Sequence, residues 1–546
     1  MMWMKNAVRR CPALLLLLSA VTTGAVLIWP ILAPLEWVSL VPMGAVLLRL
    51  ISAEGKNGKP VSLRRMYAWG FLYCFVFQAI VYHWFFYLYP LEFTGMPTAA
   101  AAAVVAVACF GLALLHGGIF AAAFPLIGLV CRSPICRRLP ALRIPLIAAV
   151  WCIFEWMQTQ TWIGVPWGRL ALGQVRWLPV IQTVSLLGSY LITFLLLTVN
   201  LLIAAALLEP AAAGRRLTAA LLVFGVNFAV GSGLFLLDEA AAEDRDTITV
   251  SAAQGNISTS VKWSGEAMAE TLQAYVVLTR EAAAQGAELV VWPESTIPYT
   301  LHKYPWMVEY IEALAAENGV TLLVGCFTAS PEGMMNSVVT VTPDGGVDGT
   351  VYSKRHLVPF GEYLPMADLV RAVCPPLAQL QMAEGGDLAA GKEAAVHSAA
   401  GVKVGSLICF DSIYEMLSLD SVRQGAEVLA VSTNDYWFSD SAALRQHHGQ
   451  AVLRAVETRR SVIRAANTGI SAVITPRGTV LGDLEPLTQG QITAEVECNS
   501  RLTLYTQVGN LLIWLCMAGT AVCLGSYLVP QFWRRNRKGI DTDSPA

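Results

Sequence analysis

The sequence predicts a membrane α-helical bundle of eight transmembrane helices carrying one water-facing α/β sandwich, and three observations predict it. Of the 546 residues, 55% are hydrophobic and 14% charged, against about 25% charged in an ordinary soluble domain. Long apolar runs fill residues 11–237, a segment of soluble character follows over 247–500, and 509–530 is apolar again. Within the middle segment, short β-branched runs alternate with stretches of helical length. The expected organisation is a membrane domain with seven helices over 1–237, a linker at 238–246, an α/β domain over 247–500, a closing transmembrane helix at 509–530 and a tail at 531–546.

A spanning helix needs about 20 mostly apolar residues. Seven such segments precede the α/β domain, near 11–29, 32–51, 66–89, 98–130, 144–158, 178–208 and 217–237. The first is read as a retained helix rather than a cleaved signal, because the apolar pattern resumes directly after Trp29-Pro30 and no small-x-small cleavage site stands out.

Lys and Arg in short loops stay on the cytoplasmic side. Arg49, Lys56, Lys59, Arg64 and Arg65 fill the second loop, Arg132, Arg137, Arg138 and Arg143 the fourth, and Arg215 and Arg216 the sixth. The first and third loops carry Glu36 and Glu92 and no Lys or Arg. This alternation places the N-terminus inside and the α/β domain outside after seven crossings. Arg534, Arg535, Arg537 and Lys538 follow the last helix and return the C-terminus to the cytoplasm. In the fifth loop, Trp162, Trp167 and Trp177 read as an interfacial aromatic belt.

In the α/β domain, Thr247–Ala253, Glu288–Trp292, Thr321–Cys326, Ser337–Val341, Val351–Ser353, Lys403–Cys409, Glu427–Val431 and Val462–Ala466 read as strands. Ser264–Gln285, Pro305–Asn318, Asp411–Leu417 and Ala442–Thr458 read as helices. Pro343-Asp344-Gly345-Gly346 and Pro476-Arg477-Gly478 are turn sequences. Antiparallel hairpins are thus mixed with βα units in a helix-covered sandwich.

The net charge of -2 offers no cationic field for a nucleic-acid backbone. Twelve cysteines without a CxxC pair indicate neither a structural metal nor a disulfide framework. Phosphate loops, HExxH and GxSxG are absent, which removes kinase, zinc-protease and serine-hydrolase readings. His83, His116 and Glu155 lie in or beside apolar helices and are left unassigned.

Three residues stand at strand ends: Glu294 after Leu-Val-Val-Trp-Pro, Lys354 after Gly-Thr-Val-Tyr-Ser, and Cys409 after Lys-Val-Gly-Ser-Leu-Ile. Singly, a loop cap, a solvated strand end and a core filler explain them. Together they supply acyl-transfer chemistry. A thiol at the positive end of a helix is a nucleophile, a carboxylate can take its proton, and an ammonium can stabilise an oxyanion.

The segments WPES (292–295), YSKRHLVPFGEYLP (352–365) and LICFDSIYE (407–415) resemble the Glu, Lys and Cys motifs of the nitrilase (carbon-nitrogen hydrolase) superfamily. QGNISTSVKW (254–263), TNDYWFSDS (433–441), QHH (446–448) and RAANTGISAVITPRG (464–478) extend the likeness to its membrane branch, the apolipoprotein N-acyltransferases. The resemblance implies a nitrilase-like αββα sandwich over 247–500 as the catalytic domain. It implies a phospholipid as acyl donor, a diacylglyceryl-lipoprotein as acceptor, no cofactor and no metal, in a multi-pass protein of a bacterial cytoplasmic membrane whose catalytic domain is periplasmic.

The resemblance casts Cys409 as the nucleophile of a thioester intermediate, Glu294 as general base and Lys354 as oxyanion stabiliser. Glu362 matches a second functional glutamate and Trp263 a substrate-handling tryptophan. Phe410 and Asp411 stand where the family often has Tyr and Glu. Leu357–Phe360 and Tyr436–Phe438, with Trp437 at their centre, read as apolar loops able to cover the site. A tethered amidase acting on a small soluble substrate would share the same three residues, but it leaves eight apolar segments without a purpose. A monomer is expected.

Overall fold

The computed structural model describes residues 2–52, 60–91, 96–258, 268–373 and 387–540. Lys56, Lys59, Glu92, Trp263 and Cys374 lie outside the described residues. The chain forms two compact units. One comprises Met1–His83, Cys109–Ser232 and Asn510–Ala546; the other comprises Trp84–Ala108 and Gly233–Gly509.

The first unit is helical. Among the described residues, seven helical segments of the chain are long and apolar enough to cross a membrane: Pro30–Ser52, Leu63–Leu88, Thr98–Cys131, Pro140–Met157, Tyr190–Leu208, Pro210–Asp244 and Leu511–Gln531. Trp3–Arg10 and Pro12–Ile28 make an eighth if the pair, bent by 102°, counts as one span. The bend falls at Cys11-Pro12, where the proline takes the first turn of the second helix and disfavours helical backbone before it.

Two expectations for this unit need correction. The segment 178–208 is not one helix: Leu178–Ile181 and Val184–Leu187 are single turns, Gly188 takes φ +78°, and the spanning helix starts at Tyr190. The fifth loop is not a uniform aromatic belt. Trp162 is exposed, but Trp167, Arg169 and Gln174 are buried within the unit. There Gln174 donates to Glu36 Oε2 at 2.7 Å and accepts from Trp37 Nε1 at 3.0 Å. Thr193 Oγ1 and the Leu170 amide donate to Glu155 at 2.7 and 3.2 Å. His116 bonds Tyr82 Oη and lies 2.8 Å from the Ile163 carbonyl. Such bonding is how a buried polar group is tolerated at all.

In the second unit the strands are β1 Thr247–Gln254, β2 Leu289–Val291, β3 Thr321–Ser330, β4 Gly333–Thr342, β5 Gly346–Ser353, β6 Val396–Ala399, β7 Val402–Ile408, β8 Val428–Thr433, β9 Ser461–Ala466, β10 Ala472–Ile474, β11 Val480–Asp483 and β12 Gly490–Glu497. Among the described residues they form two six-stranded sheets, ordered β12-β1-β2-β3-β4-β5 and β11-β10-β9-β8-β7-β6. In each sheet the three central strands are parallel (β1, β2 and β3; β7, β8 and β9) and the flanking pairs are antiparallel.

Because side chains alternate across a strand, β2 sends Leu289 and Val291 into the layer between the sheets, together with Val250, Leu323, Val404, Ala430 and Ile463. Its Val290, and Trp292 just beyond it, join the outer core under the helices Met268–Ala284 and Pro305–Asn318. Strands buried on both faces read as continuous apolar runs, as these do. The helices Glu415–Arg423 and Ala442–Thr458 pack on the second sheet. The result is the helix-covered αββα sandwich.

The helices Pro305–Asn318 and Ala442–Thr458 have the expected bounds. The helix expected at 411–417 does not form as such. A 3₁₀ turn covers Cys409–Ile413, and the α-helix begins at Glu415. Strands β6, β10, β11 and β12 were not expected.

Candidate active site

The carboxyl ends of parallel strands are where an α/β sheet exposes its loops to a ligand, and three such ends converge here with the end of the antiparallel β5. Glu294 lies three residues beyond β2, Lys354 directly follows β5, Cys409 directly follows β7, and Asp435 lies two residues beyond β8. Three of these ends carry non-glycine residues in the left-handed region: Ser295 at φ +48°, Cys409 at +48° and Asp435 at +55°. Such conformations persist only where the surroundings over-determine them.

Lys354 is 2% exposed and its Nζ donates to Glu294 Oε1 at 2.9 Å and to Glu362 Oε1 at 3.0 Å. Asn336 on β4 donates from Nδ2 to both carboxylates, at 2.7 Å to Glu294 and 3.1 Å to Glu362. The second oxygens are also taken: Glu294 Oε2 accepts the Asn434 amide at 3.0 Å, and Glu362 Oε2 the Val358 amide at 2.8 Å. Burial works to lower the Lys354 pKa, but Glu294, Glu362 and the Cys409 sulfur outweigh it and hold the ammonium well above its ordinary range. This cation is fixed in place and in charge.

Cys409 is partly accessible and opens the 3₁₀ turn. Burial pushes its thiol well up, the Glu294 charge adds to this, and the Lys354 ammonium opposes both. With the α-helix starting six residues later, at Glu415, its N-terminal end is not what favours the thiolate, because that field acts within the first turn.

Asp411, fully buried, joins the Lys and Cys segments. Its carboxylate accepts from Tyr352 Oη at 2.8 Å, the His356 amide at 2.8 Å, the Arg355 amide at 3.2 Å and the Ile408 amide at 3.3 Å. Phe410 stands edge-on to Tyr414 at 5.4 Å. Trp437 is half-buried on the 3₁₀ turn Tyr436–Phe438, against Tyr436. The neighbouring Phe438 packs edge-on to Trp84 at 5.1 Å and to His447 at 5.9 Å.

Four residues that the structure brings into the cluster were not singled out from the sequence: Asn336, Asp435, His447 and Arg464. Asp435 Oδ2 accepts from Arg464 Nη2 at 2.6 Å, and its Oδ1 from Thr433 Oγ1 at 2.8 Å and from the His447 ring at 2.8 Å. The one available signal was that three of them fall in TNDYWFSDS, QHH and the RAANTG segment, which a resemblance marks without assigning roles. Cys409, Asp435 and His447 have metal-ligand donor types, with ligand atoms within 4.8 Å of one another. Both Asp435 oxygens are already occupied by these donors, so the arrangement fits a hydrogen-bonded network rather than a cation site.

Residues 249–502 match the carbon-nitrogen hydrolase family model, and residues 24–202 match that of the apolipoprotein N-acyltransferase N-terminal domain. The chain is 34% identical over 384 residues to the apolipoprotein N-acyltransferase of Geobacter metallireducens, covering 68% of this chain and 72% of that protein. It is 30% identical over 447 residues to that of Gloeobacter violaceus, covering 81% and 80%. Among solved structures, Saccharomyces cerevisiae Nit3, of the nitrilase superfamily, aligns at 21% identity over 46% of this chain and 90% of its own, with a TM-score of 0.36. With strand-end Glu, Lys and Cys in one αββα sandwich, apolar helices on both sides of it in sequence, and relatives matching over most of both lengths, the chain is a multi-pass membrane acyltransferase of the apolipoprotein N-acyltransferase family.

Proposed function

We propose that the protein N-acylates the N-terminal S-diacylglyceryl-cysteine of lipoproteins by a two-step exchange through a Cys409 thioester, the last step of lipoprotein maturation. Glu294 accepts the Cys409 proton, and the thiolate attacks the carbonyl carbon of a phospholipid ester. Lys354 donates to the resulting oxyanion. Collapse breaks the ester C–O bond, Glu294 returns its proton to the departing alkoxide, and a lysophospholipid leaves. The acceptor's α-amine then attacks the thioester, Glu294 removes the amine proton, the C–S bond breaks to give the amide, and Glu294 returns that proton to the departing Cys409 thiolate. Glu362 and Asn336 keep the Lys354 ammonium on the carbonyl-binding side of Glu294.

The observation that carries this reading is the buried Lys354 ammonium bridged between Glu294 and Glu362, with its field acting on the Cys409 thiol. A base, a fixed electrophile and a nucleophile share one cluster. Trp263 and Trp437 are assigned to substrate handling on the strength of the sequence motifs.

The loop bias of Lys and Arg supports a catalytic domain on the outer face of a bacterial cytoplasmic membrane, with both termini inside. The functional division follows the same limits: a membrane part at 1–237, a linker at 238–246, a catalytic domain at 247–500, a closing helix at 509–530 and a tail at 531–546. Incubating the protein with phospholipid and then digesting it should yield a Cys409 peptide heavier by one acyl chain and sensitive to hydroxylamine. Turnover without any such adduct, at a quench time shorter than one cycle, sinks the thioester.

A further inference from the structure

Asn434 directly follows β8 and is half-buried. Its backbone amide donates to Glu294 Oε2 at 3.0 Å, and its carbonyl accepts from Thr468 Oγ1 at 3.0 Å. The direction of its side-chain amide is set by a chain of bonds that begins at the backbone of Ile257. The Ile257 N–H donates to Asn467 Oδ1 at 3.0 Å, as does Tyr275 Oη at 3.3 Å, while Asn467 Nδ2 donates to the Ile257 carbonyl at 2.7 Å. A backbone N–H only donates and a carbonyl only accepts, so the Asn467 amide cannot be turned over. Asn467 Nδ2 also donates to the Asn434 side chain at 2.9 Å, and the atom that receives it must be Oδ1. The other arm of the Asn434 amide is therefore Nδ2, and among the described residues neither of its hydrogens is taken up.

Ile408 and Ser432 pair in the parallel ladder of β7 and β8, so Cys409 and Thr433 are the next step and Asn434 the one after. Adjacent strands run about 4.8 Å apart, which sets Asn434 beside the turn that carries the nucleophile. Glu294 lies between two donors, the Lys354 ammonium on Oε1 and the Asn434 amide on Oε2. Of the three ammonium hydrogens, Glu294 and Glu362 hold two. Lys354 thus offers one hydrogen bond to a carbonyl oxygen, which accepts two. A donor that is already oriented and not bonded elsewhere stabilises a developing oxyanion without first breaking a bond.

We propose that Asn434 Nδ2 is the second donor to the substrate carbonyl oxygen, preset by Asn467, and so a catalytic residue in both acyl-transfer steps. It moves no proton. As Cys409 Sγ or the acceptor amine bonds to the carbonyl carbon, the C=O pair shifts to oxygen, and Lys354 and Asn434 each hold that oxygen by one hydrogen bond until the pair returns. This role rests on the Cys409 thioester proposed above.

The test compares two reactions of Cys409 in the full-length protein in detergent. Thioester formation from a phospholipid passes through an oxyanion; alkylation by iodoacetamide attacks a saturated carbon and forms none. In Asn434→Ala the first should slow about 10²-fold or more, the loss expected for one oxyanion donor, with the second unchanged. Equal slowing of both marks a displaced loop and overturns the proposal, as does an unchanged rate of acylation. If Asn434→Ala does not fold, Asn434→Asp, which keeps the oxygen that Asn467 holds, is put through the same pair. Both reactions need the thiolate, so the ratio of acylation to alkylation cancels the effect of the added charge on the thiol. That ratio should still fall about 10²-fold, and an unchanged ratio overturns the proposal. Unmodified protein that turns over without a thioester undoes the acyl-enzyme and this donor together; a thioester in the unmodified protein with an unchanged ratio in the variants removes the donor alone.

Discussion

Cys326 and Cys409 both close apolar stretches of sequence, yet only one has chemistry available to it. Cys326 is fully buried in the core beneath the first sheet's helices, and burial pushes its thiol up to about 12. Cys409 feels the same desolvation but turns out of its strand at φ +48° toward the Lys354 ammonium. Replacing Lys354 by Ala should therefore slow thioester formation about 10²- to 10³-fold, the usual cost of one oxyanion donor. Lys354→Arg should not restore the rate, because the larger planar guanidinium spreads its charge over a fork and does not place a compact point charge where the Lys354 ammonium stands. Single-turnover burst kinetics check both, and an unchanged burst in either variant removes the assigned role. Asp435 offers a stability test. Burial works to raise its pKa, but Arg464 and His447 outweigh it and hold the carboxyl well below the usual range. A depressed carboxyl contributes stability that is full above its unfolded pKa, about 3.9, and is lost as pH falls through the folded value. Asp435→Asn, which leaves Arg464 buried without its counter-ion, should cost about 3–5 kcal/mol at pH 7. The gap to the unmodified protein should hold down to about pH 5 and narrow below about pH 4. Unfolding followed across that range measures it, and a gap that widens with acid contradicts the ion pair.

At the scale of elements, the site is a set of loops held by other loops. The β8 end, Thr433-Asn434-Asp435, is braced by Asn467-Thr468-Gly469: the Asn467 amide donates to the Thr433 carbonyl at 3.0 Å, and Thr468 Oγ1 to the Asn434 carbonyl at 3.0 Å. A Cβ on Gly469 would overlap the Asp435 carboxylate and lie 2.7 Å from the Asp435 Cβ, so only glycine permits this approach. Gly469→Ala should cost about 1–3 kcal/mol by overpacking and lower activity through the displaced Asp435, with the loss in kcat rather than KM. A neutral outcome in both thermal unfolding and kinetics would show that the brace is dispensable. The helices Pro305–Asn318 and Ala442–Thr458 were legible to the residue because each carries its own signals, proline at the first turn and Gly319 at φ +64° for one, a Ser441 cap donated to by Ala443 for the other. The Asp411–Leu417 helix was not legible. Asp411 turns its carboxylate back to the amides of Arg355, His356 and Ile408, and these partners, two of them more than 50 residues away, favour a tight 3₁₀ turn over a helix starting at Asp411.

For the whole molecule, the test is topological. If the loop charges set orientation, a reporter active only outside the cytoplasm gives signal when fused after Leu237; signal only from a cytoplasmic reporter at that position reverses the compartment and with it the lipoprotein reading. By itself, the sequence determined the division into apolar helices and an α/β sandwich, because hydrophobic periodicity is a local property that each segment carries independently of its neighbours. It also singled out Glu294, Lys354 and Cys409, which the fold brings into one cluster, because strand-end residues with complementary chemistry can be recognised before they are brought together. Only the tertiary structure decided that Trp167, Arg169 and Gln174 fold inside the helical unit, that Asn336 clamps two carboxylates, and that Asp435, His447 and Arg464 form a hydrogen-bonded network beside Cys409. Asn336 lies 42 residues from Glu294, and His447 lies 38 from Cys409. The worth of such a polar side chain depends on which partner desolvation forces it to find, and that partner is chosen by the packing of whole sheets, which no local pattern records.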